Sequence, residues 1–213
     1  MKKKYLVTNL FAVALFLTAC GNNDVAEALD STTAIKSHED QIVGDLNAIT
    51  EQEKKLQGSF ENTLAEDETL STFADGTSAV FENVDTRSNS LSELKEATTT
   101  IKEEQVLLDK KTSDKLPQVE LDQLTTTIET LTASLDEYIT HYESVLADQE
   151  TYFTDLGKGE ATYETLTIGM ESINKQDAKT KELLLKLDKQ LVEVQDSNKN
   201  TTASLNELND DSK

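Results

Sequence analysis

Apolar residues recur at alternating steps of three and four along most of the chain, in four rows. The first row holds Val25, Ala28, Ile35, Ile42, Leu46, Ile49, Leu56 and Phe60, with Thr32, Glu39 and Glu53 as polar members. The second runs from Val80 and Val84 through Leu91, Leu94 and Ile101 to Leu108, with Arg87, Thr98 and Gln105 in the same register. The third, from Leu121 to Leu156, takes in Tyr138, Tyr142 and Tyr152 and is broken only by Gln149. The fourth begins at Leu166 and passes Met170, Ile173, Asp177, Thr180, Leu184, Leu187, Leu191 and Val194, with Leu205 and Leu208 keeping register beyond. A period near 3.5 puts a narrow apolar stripe on each helix and favours nearly parallel, left-handed packing. Alternation of the strand type is absent over any useful length.

The rows stop where turn residues stand. Gly157-Lys158-Gly159 makes a connection short enough to force the third and fourth helices into an antiparallel pair. Ser113 to Pro117 forms the break before the third helix, with Pro117 suited to a helix start. The first junction, residues 58–79, is less sharp, and the second helix is placed between Asp67 and Thr77 at its start. One proline and seven glycines leave few interruptions, so helices of about 40 residues, roughly 60 Å long, are permitted. The expected fold is all-α: an elongated antiparallel up-and-down bundle of three to four long helices with a coiled-coil-like seam. Residues 20–213 form one domain, with the acidic tail from about 199 to 213 fraying.

Ahead of the first row lies a different pattern. Met1-Lys2-Lys3-Lys4 precedes an apolar run from Leu6 to Leu17, which is short for a membrane span. Leu17-Thr18-Ala19-Cys20 follows at once and resembles the lipobox of bacterial lipoproteins. That resemblance implies a signal peptide over residues 1–19 and a diacylglyceryl group on Cys20, which anchors the chain to the membrane. Cys20 is the chain's only cysteine, so lipidation leaves no disulfide and no thiol chemistry. Two acyl chains hold a protein stably where one does not.

Losing residues 1–19 removes three lysines and no acids, which moves the formal charge from −21 to −24. A field of that sign repels nucleic acid, and it repels anionic wall polymers unless divalent cations bridge the two. Nucleic acid is therefore excluded as a partner.

No P-loop, dinucleotide-binding turn, His-Glu-x-x-His or Gly-x-Ser-x-Gly motif is present, and no cofactor or metal is expected. His38 and His141 lie in different helices. Two constellations remain. Folding the first two helices about residue 65 brings Arg87 within about a turn of Glu39, which predicts a seam ion pair fixing register, or else an anion contact. Four of the five tyrosines fall between residues 138 and 163. Folding about Lys158 sets Tyr142 opposite Asn174 and Tyr138 near Asp177, with His141 on the same helix. Tyr138, His141, Tyr142, Asn174 and Asp177 thus form a candidate binding cluster for a sugar or peptide, and the plainer alternative is a tyrosine core with satisfied hydroxyls.

The leader, Val84-Asp85-Thr86-Arg87 running on to Ile101-Lys102-Glu103-Glu104, the tyrosine-bearing third helix and Ile173-Asn174 together resemble the YkyA-type cell-wall-binding lipoproteins of Gram-positive bacteria. The resemblance implies wall association and a helical fold, and brings no catalytic residues. The expectation is a non-enzymatic protein, lipid-anchored on the outer face of the cell membrane, that contacts wall or an envelope protein. A self-associating coiled-coil scaffold is the alternative. A wall hydrolase ranks lower, and two carboxylates facing one pocket would favour it. A transporter's substrate-binding lipoprotein is disfavoured by the lack of strands.

Overall fold

The structure, a computed structural model, describes residues 23–159 and 161–211, so Cys20 and the leader lie outside the described residues. Four long helices, α1 (Asn23–Glu66), α3 (Ala79–Asp109), α4 (Gln118–Leu156) and α5 (Tyr163–Asp211), run up and down, with a single-turn α2 (Ser71–Ala74) between the first two. α1 packs on α3, α3 on α4, α4 on α5, and α5 returns to α1, which closes the ring more loosely than the other neighbours do. The bundle thus has a near end, where α1 starts and α5 finishes, and a far end capped by α2. Among the described residues no strand occurs and no helix is long and apolar enough to cross a membrane.

The seam is the core. Val25, Ile35, Ile42 and Ile49 of α1, Leu94 and Ile101 of α3, and Leu124 to Leu135 of α4 are buried against one another. Among the described residues every buried apolar side chain from Val25 to Leu205 belongs to this one cluster. Some polar seam positions find partners on neighbouring helices: Asn198 donates to the Thr32 carbonyl at 2.9 Å and Thr201 to the Glu120 carbonyl at 3.1 Å. These bonds hold the end of α5, which stays helical to Asp211 with Thr201 and Leu205 buried. The segment expected to fray from 199 is therefore packed at least to Leu205, because it finds partners on α1 and α4.

The far end is built differently. Asp67 accepts from the Thr72 amide at 2.7 Å and from the Thr69 amide at 3.1 Å, closing the turn after α1. Those donors hold its carboxyl well below the usual range. Leu70 sits in the left-handed region at φ 57° before α2, and Ser78 caps α3 while its hydroxyl meets Thr63 at 3.0 Å. The second helix proper thus starts at Ala79, just after Thr77, and the stretch from Asp67 forms a turn and a cap. Phe73 of α2 drops into a ring cluster with Phe60 at 5.8 Å and Phe153 at 6.2 Å. Gly157 ends α4 beneath α2, and a Cβ there would meet the Ala74 amide nitrogen. Gly159, at φ 72°, makes the left-handed step toward α5.

Candidate functional site

The helix-pair registers decide which expected neighbours meet. Glu27–Lys111 at 2.6 Å and Thr63–Ser78 at 3.0 Å put the α1–α3 fold near Thr69, not residue 65. Arg87 is consequently carried past Glu39 toward the far end, level with about Glu51. The expected Arg87–Glu39 pair does not form. Arg87 is fully buried and donates to the Asn83 carbonyl at 3.4 Å, to the Tyr142 hydroxyl at 3.1 Å and to Gln149 Oε1 at 2.6 Å. Glu39, itself only 4% exposed, faces the α1–α5 groove with no cation from α3, and burial pushes its carboxyl up to about 7.

A similar slip separates part of the tyrosine cluster. Gln176–Asp148 at 2.6 Å and His141–Thr180 at 3.0 Å set the α4–α5 fold near Ala161, because α5 starts only at Tyr163. Tyr142 is thus about level with Thr180 and Asn174 with Asp148. Tyr138 stacks on Tyr142 with ring centres 5.4 Å apart, deep in the core, and its buried hydroxyl has no partner. Tyr138 and His141 therefore stand apart from Asn174 and Asp177.

A cleft of about 380 Å³ nevertheless opens at this level between α1 and α5. Arg87 and Gln149 lie at its floor, Phe60 and Phe153 line one wall, and Asn174, Asp177 and Lys181 of α5 line the other with Met170 and Ile173. Tyr142 reaches it through Glu53: the hydroxyl that accepts from Arg87 donates to Glu53 Oε1 at 2.9 Å. Burial raises the Glu53 carboxyl, and the Tyr142 hydroxyl and the Arg87 charge pull it back down. Asp177 pairs with Lys181 at 2.6 Å and holds its ammonium above its ordinary value. The cleft thus joins Arg87, Asn174 and Asp177 from the expected candidates with Glu53, Gln149, Lys54 and Lys181, which were not singled out. The available signal was that Arg87, Glu53 and Gln149 are all polar interruptions of apolar rows. Among the described residues no group of three metal-ligating side chains stands together.

Charge sets this cleft apart. Lys54, Arg87 and Lys181 outnumber Glu53 and Asp177 along it, whereas acids outnumber cations in four other grooves of the bundle. Lys54 pairs with Glu51 at the rim and Lys181 with Asp177, so the cleft is close to neutral in a chain of net charge −21 and repels an anion less than the acidic grooves do.

The family model for YkyA, described as "Putative cell-wall binding lipoprotein", matches residues 23–204. This chain belongs to the YkyA family. The match runs from the first residue of α1 to Ser204, two turns short of the end of α5, so the family covers all four long helices. A crystal structure of a conserved protein of unknown function from Staphylococcus aureus has a similar fold, with a TM-score of 0.65 over 87% of this chain and 97% of that one. At 18% identity that likeness concerns the fold alone. Comparison with curated proteins finds no match.

Proposed function

We propose that this chain is a non-enzymatic protein held at the outer face of the membrane by a lipid on Cys20, and that it binds wall material through the far-end cleft. The family match over residues 23–204 carries the reading, and the buried Arg87 at the floor of a near-neutral cleft in an acidic chain supports it. α5 alone spans about 74 Å at 1.5 Å per residue over its 49 residues, so an anchor at the near end sets the cleft well away from the bilayer. The scaffold holds the cleft at that distance and needs no chemistry of its own.

Co-sedimentation of residues 22–213 with purified wall sacculi tests this, with and without teichoic acid and magnesium. Saturable pelleting without magnesium is expected, since the cleft supplies cations that a bridging metal would otherwise provide. No pelleting in any condition contradicts the reading and sends the search to envelope proteins. Cys20→Ala is expected to abolish lipid labelling and release the chain from the membrane fraction; retention of both sinks the anchor.

Two observations favour second readings. Glu53 and Asp177 line one pocket, the arrangement that a carboxylate-dependent hydrolase needs. Their hydrogen bonds to Tyr142 and Lys181 occupy them, and no lysis of sacculi is expected; lysis that Glu53→Gln abolishes would establish the enzyme. Val43, Leu185 and Val192 stand exposed along the α1–α5 groove and would suit self-association. Mass measurement in solution is expected to give a monomer, and a concentration-independent dimer would favour the scaffold.

A further inference from the structure

Arg87 is the chain's only arginine, and it is buried in a protein with 41 acidic residues, yet it forms no ion pair among the described residues. Its partners are a backbone carbonyl, a phenol and a primary amide. A guanidinium has five N–H donors, and these three bonds leave one on each Nη. A counter-charge stands one hydrogen bond away, since the Tyr142 hydroxyl donates to Glu53 Oε1 at 2.9 Å, and a guanidinium with donors to spare matches a carboxylate. No carboxylate of the described residues meets the guanidinium directly, which leaves its spare donors to an anion at the cleft floor.

The surrounding groups restrict which anion fits. Glu53 and Asp177 on the same cleft repel a dianion, but they accept hydrogen bonds from N–H groups attached to a monoanion. Phe60, Phe153, Met170 and Ile173 offer apolar wall for a small side chain, and the exposed Asn174 amide can both donate to and accept from a peptide bond. The volume lies at the small end of ligand pockets. We infer that the cleft receives the free carboxyl end of a short peptide, with Arg87 taking the carboxylate and Glu53 the peptide N–H donors. This deepens the wall-binding reading and rests on it only for the source of such an end.

Calorimetric titration of residues 22–213 tests the inference with three probes: alanyl-alanine, alanyl-alaninamide and inorganic phosphate. Alanyl-alanine is expected to bind saturably, about tenfold or more tightly than the amide and than phosphate. Arg87→Lys keeps the charge but loses the fork, and is expected to weaken the dipeptide about tenfold while its melting temperature is checked alongside. Should that variant fail to fold, Asn174→Leu on the exposed lip is expected to weaken binding several-fold in a folded chain. Equal binding of acid and amide, preference for phosphate, or no saturable dipeptide binding up to about 10 mM overturns the inference. Pelleting with sacculi that persists in Arg87→Lys, when the dipeptide does not bind, sinks the cleft assignment and leaves wall binding standing. Dipeptide binding without pelleting does the reverse.

Discussion

The near and far halves of the same bundle solve the packing problem in opposite ways. In the near half, aliphatic side chains such as Ile35, Leu124, Ile128 and Leu187 fill the seam, and all four helices contribute. In the far half aliphatics such as Val80, Val84 and Val145 are joined by aromatic and polar side chains: Phe60, Phe73, Phe153, Tyr142, Arg87 and Gln149. There the first turns of α5 give little; Leu166 and Ile173 are only partly buried, and Met170 is exposed. The α1–α5 joint is grooved along the near half as well, past Glu39, Val43 and Val192, but the aliphatic seam beneath it carries no cation. In the far half an arginine, a glutamate and a glutamine interrupt the seam and carry polar groups into that joint, and there it becomes the cleft. The near half is a scaffold, and the far half is where recognition is affordable because stability is supplied elsewhere.

The largest expected effect lies in the scaffold. Leu124→Ala removes a fully buried side chain at the centre of four helices and should cost about 3 kcal/mol, read as a lowered unfolding midpoint. Met170→Ala, on the open wall of the cleft, should cost well under that; comparable losses would break the contrast between halves. Arg87→Ala leaves Gln149 Oε1 and the Tyr142 hydroxyl short of a buried partner and should cost about 2 kcal/mol. A melting temperature unchanged in Arg87→Ala would mean that the arginine contributes nothing to the fold. Gly157→Ala drives a methyl into the backbone of Ala74 and should cost about 1–2 kcal/mol, with faster proteolysis near Phe73 as the cap lifts.

The smallest effect concerns pH. Burial pushes Glu39 up to about 7 and Asp45 up to about 6. Both therefore bind a proton more tightly folded than unfolded, so their contribution is complete at acid pH and is lost as pH rises through 6 and 7. The chain should melt at a higher temperature at pH 5 than at pH 8. Glu39→Gln, which stays neutral throughout, should flatten that slope and stabilise the chain at pH 8 by about 1 kcal/mol after allowance for solvent screening. An unchanged slope in this variant would place the pH dependence elsewhere.

The near half was legible in the sequence because its information is local: a repeat of three and four residues states which face of each helix is buried. Almost every expected apolar row member from Val25 to Ile49 and from Leu121 to Leu135 is buried. The far-end site was legible only in part, since which residues meet across helices depends on where each hairpin turns. A shift of the first turn from residue 65 to near Thr69 moved Arg87 from the level of Glu39 to that of Glu53. A shift of the last turn from Lys158 to near Ala161 separated Tyr138 and His141 from Asn174. Turn residues such as Asp67 and Gly159 mark that a chain reverses. They do not state how many residues the reversal consumes, and one turn of helix is enough to exchange one partner for another. Polar interruptions at matching heights in three rows were the better guide, because buried polar groups must answer one another.

Hydrogen exchange of residues 22–213, alone and with solubilised wall fragments, tests the division of labour most directly. In the free chain the account predicts fast exchange over residues 163–179 and slow exchange over residues 183–205 of the same helix. Added fragments should slow exchange over 163–181 and 50–60 and leave the near half unchanged. Uniform protection along α5, or protection gained only in the near half, would contradict it.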